Sequence, residues 1–206
     1  MSFDFDAYIP GFREALPFLD GIATPWDVTS RLGDLLYARI DRLDRAQYRF
    51  DEAGICIHRR ALIEAGAVIK PPTLIEEGAF VAAHAYLRGG TLICAGVRIG
   101  PGCEVKASLI MAGSTLAHFN FVGDSLIGRD VNLEAGAVIA NHFNERPDKI
   151  IAVADRGRVI STGTTRFGAV VGDGSAIGAN AVLSPGSLLP PRTVVGRLQL
   201  VLPVGT

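Results

Sequence analysis

Residues Thr73 to Ala107 read TLIEEGAFVAAHAYLRGGTLICAGVRIGPGCEVKA, and an aliphatic residue returns there at every sixth position. Followed in both directions, the series is Ile57, Ile63, Ile69, Ile75, Val81, Leu87, Ile93, Ile99, Val105, Met111 and Ala117, with no polar member. Four residues after each comes a second column: Ala61, Ala67, Thr73, Ala79, Ala85, Thr91, Val97, Cys103, Leu109, Thr115 and Phe121. Most of these are small or β-branched. A helix repeats at about 3.6 residues and a strand at about 2.0, so neither sustains a period of six. Short strands joined by tight corners, three to a coil, do sustain it. Each aliphatic side chain then enters the centre and stacks on its equivalent in the next turn. Gly66, Gly78, Gly90, Gly96 and Gly102 share one place in the cycle, where the chain bends without a Cβ.

The same phase returns at Val171, Ile177, Leu183, Leu189 and Val195, after a shifted stretch through Ile127, Leu133 and Ile139. Between them lies an excursion at about 144–166. Its segment KIIAVADRGRVISTG alternates around an Asp-Arg-Gly turn signal and predicts a protruding β-hairpin, an insertion of the kind that shapes a binding face. The first fifty residues do not repeat. Thr24-Pro25 predicts an N-cap followed by proline at the first helical position. Leu32, Leu35, Leu36, Ile40 and Leu43 form an apolar stripe at helical spacing. The expected organisation is a helical cap over 1–50, closing the open end of the coils, and an all-β solenoid over 51–206.

A formal charge of -1 on 206 residues argues against nucleic-acid binding by bulk charge. No apolar run approaches the roughly 18 to 20 residues of a membrane span, and the first residues carry acid where a secretory signal carries base. These features predict a cytoplasmic protein with no membrane partner. Cys56, Cys94 and Cys103 form no CxxC pair, and reduced thiols are expected.

With three strands per coil, residues 18 apart stack about 4.8 Å from one another. The residue after each aliphatic points outward, giving Lys70, Arg88 and Lys106 on one face. A second face carries Glu64, Ala82, Gly100 and His118, and a third His58, Glu76, Cys94 and Ala112. Three cations at about 5 Å repel unless an anion or solvent separates them. Two neighbours could chelate one phosphate, arginine as a fork and lysine as a point charge; the alternative is a solvated basic edge. His118 is either a surface or subunit-contact residue or a functional one. Bulky Phe121 in a column of small residues, and failure of the rhythm at Gly123, point to function. The remaining histidines lack metal-triad spacing, so no metal is expected.

In the segments YLRGG, EVKAS and AHFNFVGD the chain resembles the left-handed β-helix acyltransferases of the hexapeptide-repeat superfamily. It is most similar to the acetyltransferase domains of the bifunctional N-acetylglucosamine-1-phosphate uridylyltransferase/glucosamine-1-phosphate acetyltransferases. The resemblance implies a left-handed parallel β-helix and a homotrimer with sites between subunits. It implies His118 as general base and Arg88 and Lys106 as sugar-phosphate contacts; Lys70, the third cation of the stacked column, is expected to join them. Asn132 and Asn141 fall at positions near the acceptor and acetyl group, and Phe121 where that family has a sugar-contacting tyrosine. Ala135 falls at a small residue lining the coenzyme A channel, Ala179 at a coenzyme-contacting serine, and Arg197 near an alanine. The implied reaction is acetyl transfer from acetyl-CoA to the amine of a phosphorylated or nucleotide-linked sugar. Two alternatives stay open: a sugar acyltransferase served by an acyl carrier protein, and a non-catalytic sugar-phosphate or sugar-nucleotide binding scaffold.

Overall fold

A computed structural model describes residues 3–203. Short parallel strands wrap one aliphatic core in three faces, forming a parallel β-solenoid of about 8 turns. The first face runs from Ile55–His58 through Thr73–Ile75, Thr91–Ile93, Leu109–Ile110, Leu126–Ile127 and Ala169–Val171 to Ser187–Leu189. The second runs from Leu62–Ile63 to Val194–Val195, and the third from Val68–Ile69 to Leu200–Val201. From Ile75 onward the inward aliphatics Val81, Leu87, Ile93, Ile99 and Val105 are sealed from solvent.

The coil drops one residue twice. Leu87 pairs with Val105, eighteen positions on, but Val105 pairs with Val122 and Ile93 with Ile110, seventeen positions on. The corner after Lys106 is one residue short, and the corner from Val122 to Ile127 is short in the same way. Ala107 and Asp124, each at φ 47°, make the two tight turns. The expected rhythm through Met111 and Ala117 is thereby corrected: Ile110 and Leu116 point inward and are fully buried. The column of small residues likewise continues through Ser108, Ser114 and Asn120, not Leu109, Thr115 and Phe121. Their polar atoms are satisfied within the coil. Ser108 Oγ donates to the Lys106 carbonyl and Ser114 Oγ to that of Gly128, each at 2.7 Å.

From Leu74 to Val170 the outer positions of the first face are Leu74, Leu92, Leu109, Leu126 and Val170, and none is more than 1 % exposed. A sheet apolar on both sides needs a cover on both. The helix Pro25–Ile40 supplies part of it, lying on the strands Thr73–Ile75 and Thr91–Ile93 through buried Leu32 and Leu36. Its start follows from local chemistry, since Thr24 Oγ1 accepts the Asp27 N–H at 3.2 Å and Pro25 needs no partner. Contact is close enough that a Cβ on Gly90 would meet the Gly33 backbone nitrogen at 2.7 Å. The helix thus covers a side of the solenoid and not its open end. The first-coil edge is instead taken by Tyr48–Phe50, antiparallel to Ile55–His58.

The hairpin Ala152–Asp155/Arg158–Ser161 turns at Arg156-Gly157, both with positive φ, the geometry of a type I′ turn. It does not protrude. Ile151 and Val153 are fully buried, and its first strand packs on Ser187–Leu189. The Tyr8 hydroxyl donates to Asp155 Oδ1 at 2.8 Å, and Trp26 meets Phe167 edge-on at 5.7 Å. Burial, then the Asp155 carboxylate, pushes the Tyr8 phenol well above its ordinary range. The three cysteines are unpaired and buried, and burial pushes the Cys56 thiol up to about 11. Among the described residues no helix is long and apolar enough to cross a membrane.

In chemical denaturation, Leu92→Ala is expected to cost about 2–5 kcal/mol. Val159→Ala, on the open side of the hairpin, should stay within about 0.5 kcal/mol of the parent. Equal costs would contradict a sealed first face.

Candidate functional site

The candidate residues gather at two corners of the solenoid. At the corner joining the second and third faces, inter-coil hydrogen bonds align Pro101, His118, Ala135, Ala179 and Arg197 one above another. The bonds run from Phe119 N to Pro101 O at 3.0 Å, Gly136 N to His118 O at 2.9 Å, Asn180 N to Ala135 O at 3.0 Å and Leu198 N to Ala179 O at 3.0 Å. His118 therefore stands one residue beyond the Glu64, Ala82 and Gly100 column, whose fourth member is Ala117. It is exposed, beside a shallow cleft of about 250 Å³ bordered by Phe80, Arg98 and Thr115. Buried Asn120 steadies this turn, its Nδ2 donating to Glu134 O at 2.7 Å. Phe119, at φ 51° and 71 % exposed, lies across Gly102, where any Cβ would strike its ring. In the uncorrected rhythm Phe119 falls on none of the core or outward columns, and periodicity does not single it out. Asn132 is exposed on the second face, between Thr115 and Ala176.

Arg197 returns across this corner to Glu134, with Nε 3.0 Å and Nη2 3.3 Å from the carboxylate oxygens. Glu134 Oε2 also accepts the Ala179 N–H at 2.9 Å. These contacts, Arg197 first, hold the Glu134 carboxyl below its ordinary value.

At the corner joining the third and first faces, Arg88 and Lys106 are register partners on adjacent strands, and Lys70 lies one coil below Arg88. The column is not a row of unpaired cations. Arg88 Nε and Nη2 lie 2.8 and 2.6 Å from Glu104 Oε1, and Lys106 Nζ lies 2.6 Å from Asp124 Oδ2. Lys70 is exposed and has no carboxylate partner among the described residues. Asn141, 7 % exposed, donates its Nδ2–H to the same Asp124 oxygen, and His142 Nδ1 lies 3.0 Å from Thr165 O. Phe121 stands between the corners on the outer side of the third face, in register with Glu104 and Val138.

One chain thus unites His118, Ala135 and Ala179, and separately Lys70, Arg88, Lys106 and Asn141. The width of the third face, crossed by Phe121–Gly123, separates the two groups by on the order of 10–15 Å. Among the described residues no cluster of His, Cys, Asp and Glu could hold a metal ion.

A family model described as the GMPPB C-terminal domain matches residues 69–199, which takes in every residue of both corners. The chain belongs to that family. Its relatives include a bifunctional sugar-1-phosphate nucleotidylyltransferase/acetyltransferase from Sulfurisphaera tokodaii, 39% identical over 107 residues, 48% of this chain and 26% of the relative. A bifunctional protein GlmU from Methanococcus vannielii is 32% identical over 104 residues, covering 50% and 24% of the two chains. YaiX of Escherichia coli, named an uncharacterized acetyltransferase, is 32% identical over 119 residues, covering 56% and 50%. The match spans half or less of each of these relatives. Their names agree with the resemblance drawn from YLRGG, EVKAS and AHFNFVGD, and the GMPPB C-terminal domain match covers the whole stretch in which it lies.

Because the Glu134 carboxyl is depressed in the folded chain, its pairing contributes at and above the ordinary carboxylate range and is lost as pH falls through the depressed value. Arg197→Ala should return the Glu134 carboxyl titration, followed by carbon-detected NMR, toward the ordinary range. An unchanged midpoint would show that Arg197 does not reach it in solution.

Proposed function

We propose that this protein transfers an acetyl group from acetyl-CoA to the amine of a phosphorylated or nucleotide-linked sugar. The observation that carries the proposal is the axial column at one corner: an exposed imidazole at His118, then Ala135 and Ala179, where no side chain extends past Cβ. Such a lane suits an extended thioester arm, with a base at its lower end. The acetyltransferase names of the relatives support the same class of chemistry.

In this reading the neutral amine attacks the thioester carbonyl carbon, the new C–N bond forms, and the carbonyl oxygen takes up the negative charge. His118 accepts the proton that the nitrogen gives up. Collapse of the intermediate breaks the C–S bond, and the proton passes to the departing thiolate. Arg88, Lys106 and Lys70 hold the sugar phosphate; Phe121 and Asn132 border the acceptor. Glu104 and Asp124 already neutralise two of the three cations. Phosphate is therefore recognised through the free N–H donors of the arginine fork and the ammonium more than through net charge. Because His118 and the basic corner lie a face apart, each site draws on two copies of the chain. A homotrimer with sites in the clefts between subunits meets that need.

One observation favours a second reading, a binding scaffold without catalysis. The Glu134–Arg197 pair crosses the corner at the level of the two alanines, where the coenzyme arm would run. Thermal-shift measurements separate the two, because a ligand that binds the native state raises Tm. Stabilisation by acetyl-CoA supports transfer; stabilisation by sugar phosphates alone supports the scaffold.

With acetyl-CoA and glucosamine 1-phosphate, His118→Ala should lower kcat about 10²- to 10⁴-fold, the range for loss of a general base, while Tm stays close to the parent's. Arg88→Ala should act chiefly on the acceptor KM. Full turnover by His118→Ala, read as release of free CoA thiol, would remove the assignment.

A further inference from the structure

Two residues that the resemblance assigns to substrate, Lys106 and Asn141, end on one oxygen of a third residue that carries no assignment, Asp124. Lys106 Nζ lies 2.6 Å from Asp124 Oδ2, and Asn141 donates its Nδ2–H to the same atom. Asp124 is itself held at both ends of its backbone. Its N–H donates to Lys106 O at 2.8 Å and its carbonyl accepts the Gly168 N–H at 2.9 Å. With 6 % of its surface exposed, it joins three successive coils at the shortened corner.

We infer that Asp124 is a positioning residue of the acceptor site: it anchors the Lys106 ammonium and turns the Asn141 carboxamide so that Oδ1 faces outward. The orientation follows from charge. A carboxylate accepts hydrogen bonds only, so the amide must present its NH2 group to Asp124, and its carbonyl oxygen points away. Among the described residues that oxygen has no hydrogen-bond partner. No buried side-chain polar atom among the described residues lacks a partner, so Asn141 Oδ1 reaches solvent. Asn141 consequently offers an acceptor. It suits an N–H or O–H of the sugar, or an amide N–H of the acyl donor, and not a developing oxyanion. Lys106 meanwhile keeps two N–H donors in a fixed direction, with its charge already balanced.

The catalytic half of this inference rests on the acetyl-transfer reading; the orientation of Asn141 does not. Asp124→Asn is the variant of choice, because asparagine tolerates the left-handed φ of 47° that alanine resists. With acetyl-CoA and glucosamine 1-phosphate, it should raise the acceptor KM about ten- to a hundredfold, as for loss of a hydrogen bond to a charged group. The same substitution should have less effect in a Lys106→Met background, since part of its action runs through that side chain. An unchanged KM, or an equal effect in both backgrounds, overturns the positioning role. The ligand-free protein supplies the independent readout. The hydrogen-bonded proton of the Asn141 side-chain amide should resonate downfield of the free range and move back in Asp124→Asn. If the parent fails to turn over, the acetyl-transfer reading falls and this signal decides: a parent signal in the free range overturns the assignment of Asp124 as well.

Discussion

Backbone hydrogen bonds from each coil to the next determine which side chains meet in this molecule. A parallel ladder fixes register to the residue, and a slip of one would turn every aliphatic side chain from core to solvent. With only two to four residues per strand, the chain can shorten a corner without breaking the ladder. It does so after Lys106 and after Val122. Inward positions stay filled because Ile110, Leu116, Val122 and Ile127 take over at once from the older phase.

Those two short corners shape the site. The first moves His118 off the flat of the second face and onto the edge, directly under Ala135 and Ala179. The second brings the Asp124 carboxylate up to Lys106 and Asn141. The charges at the basic corner then nearly cancel. Arg88 with Glu104 and Lys106 with Asp124 form two neutral pairs, and Lys70 leaves the corner with a single positive charge. An anion bound there, as proposed, would meet aimed donors more than net charge, and its binding would weaken less with salt than at a bare row of three cations.

The solenoid was legible because nine inward aliphatic positions, Ile57 to Val105, keep one period, and nothing but a coil with short faces explains a period of six. The slip was not. Ser108 is followed by Leu109, Ile110 and Met111, three apolar residues in a row, and periodicity alone does not say which of them faces inward. The buried polar residues Ser108, Ser114 and Asn120 were the available sign. The helix was readable from its leucine stripe and its Thr24-Pro25 start, but its resting place was not deduced. The clue was the leucine column at 74, 92, 109 and 126, apolar on the side that should have met water. Arg88 and Lys106 were found as stacked neighbours. Their carboxylates were missed because Glu104 sits at the opposite end of its strand from Lys106, and Asp124 comes within reach only through the shortened corner.

In the proposed reading one chain carries two halves of a site, with His118 on one corner and Arg88 with Lys106 on another, and copies of the chain complete each other. Subunit mixing tests it directly. A His118→Ala chain and an Arg88→Ala/Lys106→Ala chain, each inactive alone at low acceptor concentration, are co-expressed and purified as mixed oligomers. Random assembly in a symmetric oligomer restores about a quarter of the sites, and the mixture should recover that share of parental activity. Mixed oligomers as inactive as their components, or full activity in a monomeric parent, would contradict the account.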